Sequence, residues 1–117
     1  MEIKVVKGPI NIQAVKRLAE QQFGNLIKAA VDVKRGVMAL GGELHADEEQ
    51  LLLKQGSKQT DLWGINLYPA KFGSPGFIEF DSMINIRPSQ GNRSRGVEDP
   101  KLRQKIREIV HKLVAKN

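Results

Sequence analysis

FIEFDSMINIR, residues 77–87, carries the clearest strand signal in the chain, and its reading decides the fold. The even positions Ile78, Phe80, Ile84 and Ile86 form an apolar row interrupted by Ser82, and the odd positions Glu79, Asp81, Met83, Asn85 and Arg87 form a mostly polar one. Side chains alternate across a strand with a period of two, so this pattern predicts a strand with one face in the core and the other half-solvated.

The strand runs into INIRPSQGNRSRGVEDP, residues 84–100, a loop with three arginines and no carboxylate from Ser82 through Val97. Asp99 then caps a helix, and Pro100 occupies its first turn, where a missing N–H costs nothing. Leu102, Ile106, Ile109, Val110 and Leu113 repeat at helical spacing, so this helix belongs to the core. Burying each of these side chains contributes ~1.5–3 kcal/mol.

Upstream, WGINLYP alternates Trp63, Ile65 and Leu67 against Gly64, Asn66 and Tyr68 until Pro69 stops it. LIKAAVDVKRGVMALGGEL reads as a hairpin closed by Lys34-Arg35-Gly36, with Val33 opposite Val37 and with Ile27, Ala29, Val31, Val33, Val37 and Ala39 on one face. A helix capped by Asn11 precedes it, and a second follows, with Asp47 as its cap and Gly56 as its stop. Gly41 and Gly42, with Ala29, Ala30 and Ala39, leave room for a backbone or helix to approach closely.

The expectation is an α+β domain spanning residues 1–117. Its antiparallel sheet has four strands, near 26–33, 37–44, 63–68 and 77–87, with Met1 to Val6 as a candidate fifth at the edge. Helices pack on the sheet in the order helix, hairpin, helix, strand, strand, helix. Both faces of VMAL, residues 37–40, are apolar, so each needs a cover, and a homodimer is one way to supply it.

A hydrophobic content of 40% and a charged content of 27% are those of a globular chain. No apolar run approaches the ~20 residues of a membrane span, and MEIKVVKG at the start alternates instead of forming a signal-peptide core, so the expected location is cytoplasmic. The absence of cysteine excludes disulfides, thiolate zinc sites and a cysteine nucleophile. The net charge of +6 is unevenly placed: residues 1–86 balance ten cations with ten carboxylates, whereas residues 87–117 hold nine cations against three. Such asymmetry bears on partners, nucleic acid among them.

Three constellations could carry chemistry. In the first, Arg87, Ser89, Gln90, Asn92, Arg93, Ser94 and Arg95 supply guanidinium forks, hydroxyls and amides that match a phosphate or carboxylate. Against this, Glu98 and Asp99 offer negative charge from within, and the arginines have Glu79 and Asp81 as structural partners. In the second, Glu43, His45 and Asp47 share one side if the chain is extended there, and Asp81 could join them around a metal, although the spacing matches no established metal motif. The third is the polar row Glu79, Asp81, Asn85 and Arg87 beside Asn66 and Tyr68, where paired carboxylates could divide acid and base roles. No nucleophile elbow, P-loop or dinucleotide fingerprint is present, and the residues call for no cofactor.

GGELHADEEQLLLKQGSKQTDLWGINLYP and EFDSMINIRPSQGNRSRGVEDP resemble the signature blocks of a small prokaryotic family catalogued only as a domain of unknown function. The resemblance runs from about FGNLIKAAVD through the last helix; it implies a single-domain protein of this length and carries over no catalytic residue. The N-terminal helix and the AKFGSPG loop depart from the family pattern. Three functions therefore stand: a module binding phosphate-bearing or other anionic ligands, nucleic acid included; a protein–protein interaction module; and a metal-dependent or carboxylate-driven hydrolase. Low aromatic content, 5%, directs nucleic-acid contacts to backbone phosphates instead of stacked bases.

Overall fold

The centre of the protein is the strand β3, Ile27–Asp32, hydrogen-bonded on one side to β4, Val37–Leu40, and on the other to β5, Leu62–Leu67. A computed structural model describes residues 2–116. With β1, Lys4–Val6, and β6, Ile78–Glu79, these strands form a five-stranded antiparallel sheet in the order β1-β4-β3-β5-β6. The expected N-terminal edge strand is therefore present; Met1 lies outside the described residues. Helices α1, Ile12–Glu20, and α3, Pro100–Leu113, cover one face of the sheet, and α2, His45–Lys54, covers part of the other. A parallel pair, β2 (Ile10–Asn11) with β7 (Val114–Ala115), ties the entry of α1 to the exit of α3.

The outer helices follow their sequence signals. Asn11 Oδ1 accepts from Gln13 N at 2.7 Å, and Asp99 Oδ1 accepts from Lys101 N at 2.9 Å, each satisfying a donor that the helix cannot. Ile106, Val110 and Leu113 are buried, with Leu102 and Ile109 packed at their margin. The middle helix begins earlier than expected. Its cap position is Leu44, without a side-chain bond, and Asp47 lies in the first turn instead of capping. His45 is thus helical, which removes the extended alternation that would have aligned Glu43, His45 and Asp47.

The hairpin register differs by one residue from the sequence reading. Asp32 pairs with Val37 and Val31 with Met38, so the loop holds four residues. Asp32 is buried, its Oδ1 accepts from Lys34 N and Arg35 N at 2.9 Å each, and its Oδ2 accepts from Ser57 Oγ at 2.6 Å. Gly36, at φ 68°, completes the turn. A slip of one residue moves every side chain on a strand to the other face. Val37 and Ala39 accordingly join Ala30, Leu52 and Leu62 under α2, while Ile27, Ala29 and Val31 face α1 and α3 with Met38 and Leu40. VMAL is fully buried within one chain, so no second copy is needed to cover it.

The largest correction concerns FIEFDSMINIR. Only Ile78–Glu79 is strand; Pro75–Phe77, Met83–Asn85 and Pro88–Gln90 are short 3-10 turns. Beyond Met83 the expected sidedness inverts: Asn85 is 0% exposed, whereas Ile86 is 38% exposed. The cause is local competition for hydrogen bonds. Ser82 Oγ accepts from Ile84 N at 3.2 Å and starts a turn where the apolar row was already interrupted.

Asn85 then takes over the role of a strand. Its Oδ1 accepts from Gly64 N at 2.8 Å, its Nδ2 donates to Gly64 O at 3.0 Å, and the same nitrogen reaches Arg95 O at 2.9 Å. One carboxamide thus closes the β5 edge past the end of β6. Gly64 permits the approach, because a Cβ there would lie 2.5 Å from both Cβ and Oγ of Ser82. Truncating Asn85 to alanine strands two buried backbone groups, Gly64 N and Gly64 O, each costing ~1–3 kcal/mol, and leaves Arg95 O with Ser82 N as its remaining donor. Asn85→Ala is expected to lower stability by about 3 kcal/mol or more, read as a fall in urea midpoint at unchanged slope; a loss under about 1 kcal/mol would show that the edge is closed by other means.

Candidate functional site

The arginine-rich loop spends most of its donors on the protein itself. Arg87 N donates to Asn92 O at 2.7 Å and Asn92 N to Arg87 O at 3.2 Å, pinching the loop around Gly91. The Asn92 carboxamide is fully engaged, with Nδ2 on Asn85 O and Gly96 O at 2.8 Å each and Oδ1 accepting from Glu98 N at 2.9 Å. The Arg87 guanidinium lies 4.1 Å from the Trp63 ring centre and donates to Gln59 O and Leu62 O, continuing the edge closure that Asn85 begins. Gln90 Nε2 donates to Thr60 O at 3.1 Å. The backbone N–H groups of Arg93 and Ser94 both point to Glu98 Oε2, at 2.7 and 2.8 Å, and hold that carboxyl below its usual range. An internal anion, the Glu98 carboxylate, therefore occupies the loop's own anion seat.

The three arginines do not converge. Arg87 is withdrawn against Trp63, Arg95 Nε pairs with Asp81 Oδ1 at 2.6 Å, and the exposed Arg93 side chain has no hydrogen-bond partner among the described residues. Ser89 and Ser94 are exposed on the same loop. Nor do Glu43, His45, Asp47 and Asp81 assemble as a metal site: among the described residues no three His, Asp or Glu side chains gather closely enough. Glu79 and Asp81 have separate partners, Glu79 Oε1 accepting from Asn66 Nδ2 at 2.9 Å and from Tyr68 OH at 3.0 Å, while Asp81 holds Arg95.

The structure does bring residues from all three constellations into a single groove. The N-terminus of α2 and the turn after β6 enclose about 250 Å³ between them, lined by Lys28, His45, Asn66, Asp81, Arg95 and the apolar Leu44, Met83 and Ile84. Cross-strand register places Lys28 beside Asn66 and Asn66 beside Glu79, on the sheet face that α2 only partly covers. His45 is buried and its Nε2 lies 2.7 Å from Ile65 O; a carbonyl only accepts, so Nε2 carries the proton and Nδ1 is left as an acceptor. Burial pushes its pKa below the usual value, so the ring is neutral at pH 7. Asn66 Oδ1, also buried, finds no donor among the described residues.

One turn further along α2, Glu48 is fully buried with Oε2 accepting from Gly42 N at 2.9 Å. Burial raises its pKa well above the usual carboxyl range, which favours the protonated form beside Lys28. The one ion pair among the described residues is Arg95–Asp81, which leaves Lys28 without a counter-ion. Sequence reading reached His45, Asn66, Asp81 and Arg95 but missed Lys28 and Glu48. Lys28 sits in an ordinary alternating run, and only the β3–β5 register places it at the groove.

Residues 4–113 match the family described as protein of unknown function, DUF5674. The chain belongs to that family. The resemblance of the two long sequence blocks is thereby borne out, and the match extends through α1 as well. No curated protein matches the chain significantly, and no solved structure does. No helix among the described residues is long and apolar enough to cross a membrane.

Two predictions follow from these contacts. Arg87→Ala should cost about 2 kcal/mol, because it exposes Trp63 and leaves Leu62 O unpaired, while Gln59 O keeps Leu62 N as a donor, whereas Arg93→Ala should leave the melting temperature within about 1 °C; equal effects would show that the loop has no structural core. Glu48 works against folding as pH rises: above about 4.5 the unfolded state releases a proton that the folded state retains. His45 acts in the opposite direction, weakening the fold as pH falls below 6.5. Glu48→Gln retains an acceptor for Gly42 N–H and should be more stable than the parent at pH 8, by about 1.4 kcal/mol per unit of upward displacement, with the gain fading toward pH 4.5. Thermal melts across this range decide it, and a glutamine variant no more stable at pH 8 would show that the fold does not raise the Glu48 pKa.

Proposed function

We propose that the protein binds a small anionic ligand, carrying a carboxylate or phosphate, in the groove between α2 and the turn after β6. The carrying observation is the charge balance of the lining: two cations, Lys28 and Arg95, against one carboxylate, Asp81. Arg95 engages Asp81 only through Nε, so its two terminal nitrogens remain available to an anion in a fork. Lys28, its Nζ 5.5 Å from the Phe23 ring centre, supplies a point charge from the other wall. A concave site with apolar lips, a few convergent polar groups and one displaced histidine pKa is the usual form of a small-molecule pocket.

The wider expectation of nucleic-acid binding draws support from a different surface. Lys101, Lys105 and Lys112 are exposed on α3 at near-helical repeat, interrupted by Glu108. Both readings are open to one set of titrations at low ionic strength. Acetate and inorganic phosphate, followed by amide chemical shifts, should perturb Lys28, His45, Asn66 and Arg95, and Lys28→Gln should weaken binding about tenfold, the worth of a charge-assisted hydrogen bond. Arg93→Gln should change nothing. Oligonucleotide binding that falls steeply with salt, survives Lys28→Gln and is lost on replacing Lys101, Lys105 and Lys112 would move the function to α3.

A further inference from the structure

Polarity in the groove is graded with depth. His45, Asn66 and Ser82 are buried at its floor and Lys28 is half-buried, whereas two large apolar side chains of the lining, Leu44 and Met83, stand 57% and 64% exposed at its rim. They come from different elements, Leu44 from the cap position of α2 and Met83 from the turn after Ser82. Neither is needed to hold its own element. Leu44 makes no side-chain cap bond, and the turn is fixed by Ser82 Oγ on Ile84 N. Half-buried Ile84 adds a third apolar contact beside them.

We infer that the ligand of this groove is an amphipathic monoanion: a carboxylate or phosphate head seated by Lys28 and Arg95, and an unbranched apolar tail passing out between Leu44 and Met83. This rests on the anion reading above and adds what the anion must carry. A fully polar ligand would leave both apolar lips in water, and a fully apolar one would bury Lys28 without a counter-ion. Met83 suits a lip that adapts to its guest, since an unbranched thioether repacks at little cost. Size sets the tail length. At roughly 30 Å³ for each water-sized atom, 250 Å³ holds about eight heavy atoms, the size of a six-carbon carboxylate.

The test is a homologous series, acetate, butyrate, hexanoate and octanoate, titrated into the whole chain at constant ionic strength, with hexan-1-ol as the uncharged control. Affinity should rise about two- to fourfold per methylene up to six carbons and then level off, because further methylenes leave the groove. Leu44→Gln and Met83→Gln should flatten that slope; both side chains lie on the surface, so unchanged melting temperatures would confirm that the variants fold. Hexan-1-ol should bind at least tenfold more weakly than hexanoate. If every anion bound equally, the tail would be wrong and the anion site would stand. If the alcohol bound as well as hexanoate, the head would be wrong. If no member of the series bound, the inference would fall together with the anion reading of the groove.

Discussion

Gly64 and the carboxamide of Asn85 form the contact on which the rest of the structure depends. An edge strand exposes a row of unpaired N–H and C=O groups that invites pairing with another chain. β6 covers only two residues of β5, from Asn66 to Leu67, and beyond that point side chains finish the edge. Asn85 supplies a donor and an acceptor in backbone-like geometry at Gly64, and Arg87 reaches the carbonyls of Leu62 and Gln59. Because Asn85 also holds Arg95 O, and Asn92 holds Asn85 O, the segment from Ser82 to Glu98 is one connected network. A loop dense in donors is therefore what this edge requires.

The same network shapes the groove. Ser82 N donates to Arg95 O at 2.9 Å, which sets Arg95 beside Asp81, and the turn at Met83–Asn85 leaves a gap between β6 and the start of α2. Into that gap α2 directs His45, tied to the backbone of β5, with Glu48 one turn behind. Removal of both groups from water favours their neutral forms, and among the described residues no carboxylate pairs with Lys28. Helix, strand and loop each contribute one element of a site that none contains alone.

Local sequence determined what local physics controls: the caps of α1 and α3, the amphipathic face of α3, the alternation of β5 and the α+β class. It also carried enough specific pattern in two blocks to point to the family. Tertiary structure alone decided the rest. The hairpin register depended on Asp32 being buried against Ser57, a contact 25 residues away in sequence, and that one-residue difference reassigned the faces of Val37 and Ala39. FIEFDSMINIR has an alternation that a strand would show, but ladder bonds compete with side-chain bonds, and Ser82 and Asn85 win because Gly64 offers a buried partner that alternation cannot reveal. The arginines were legible as donors but not their acceptors, since backbone carbonyls carry no residue identity. Lys28 belongs to the site for a reason that lies in strand register, a property of two segments at once, and so no single stretch of sequence could announce it.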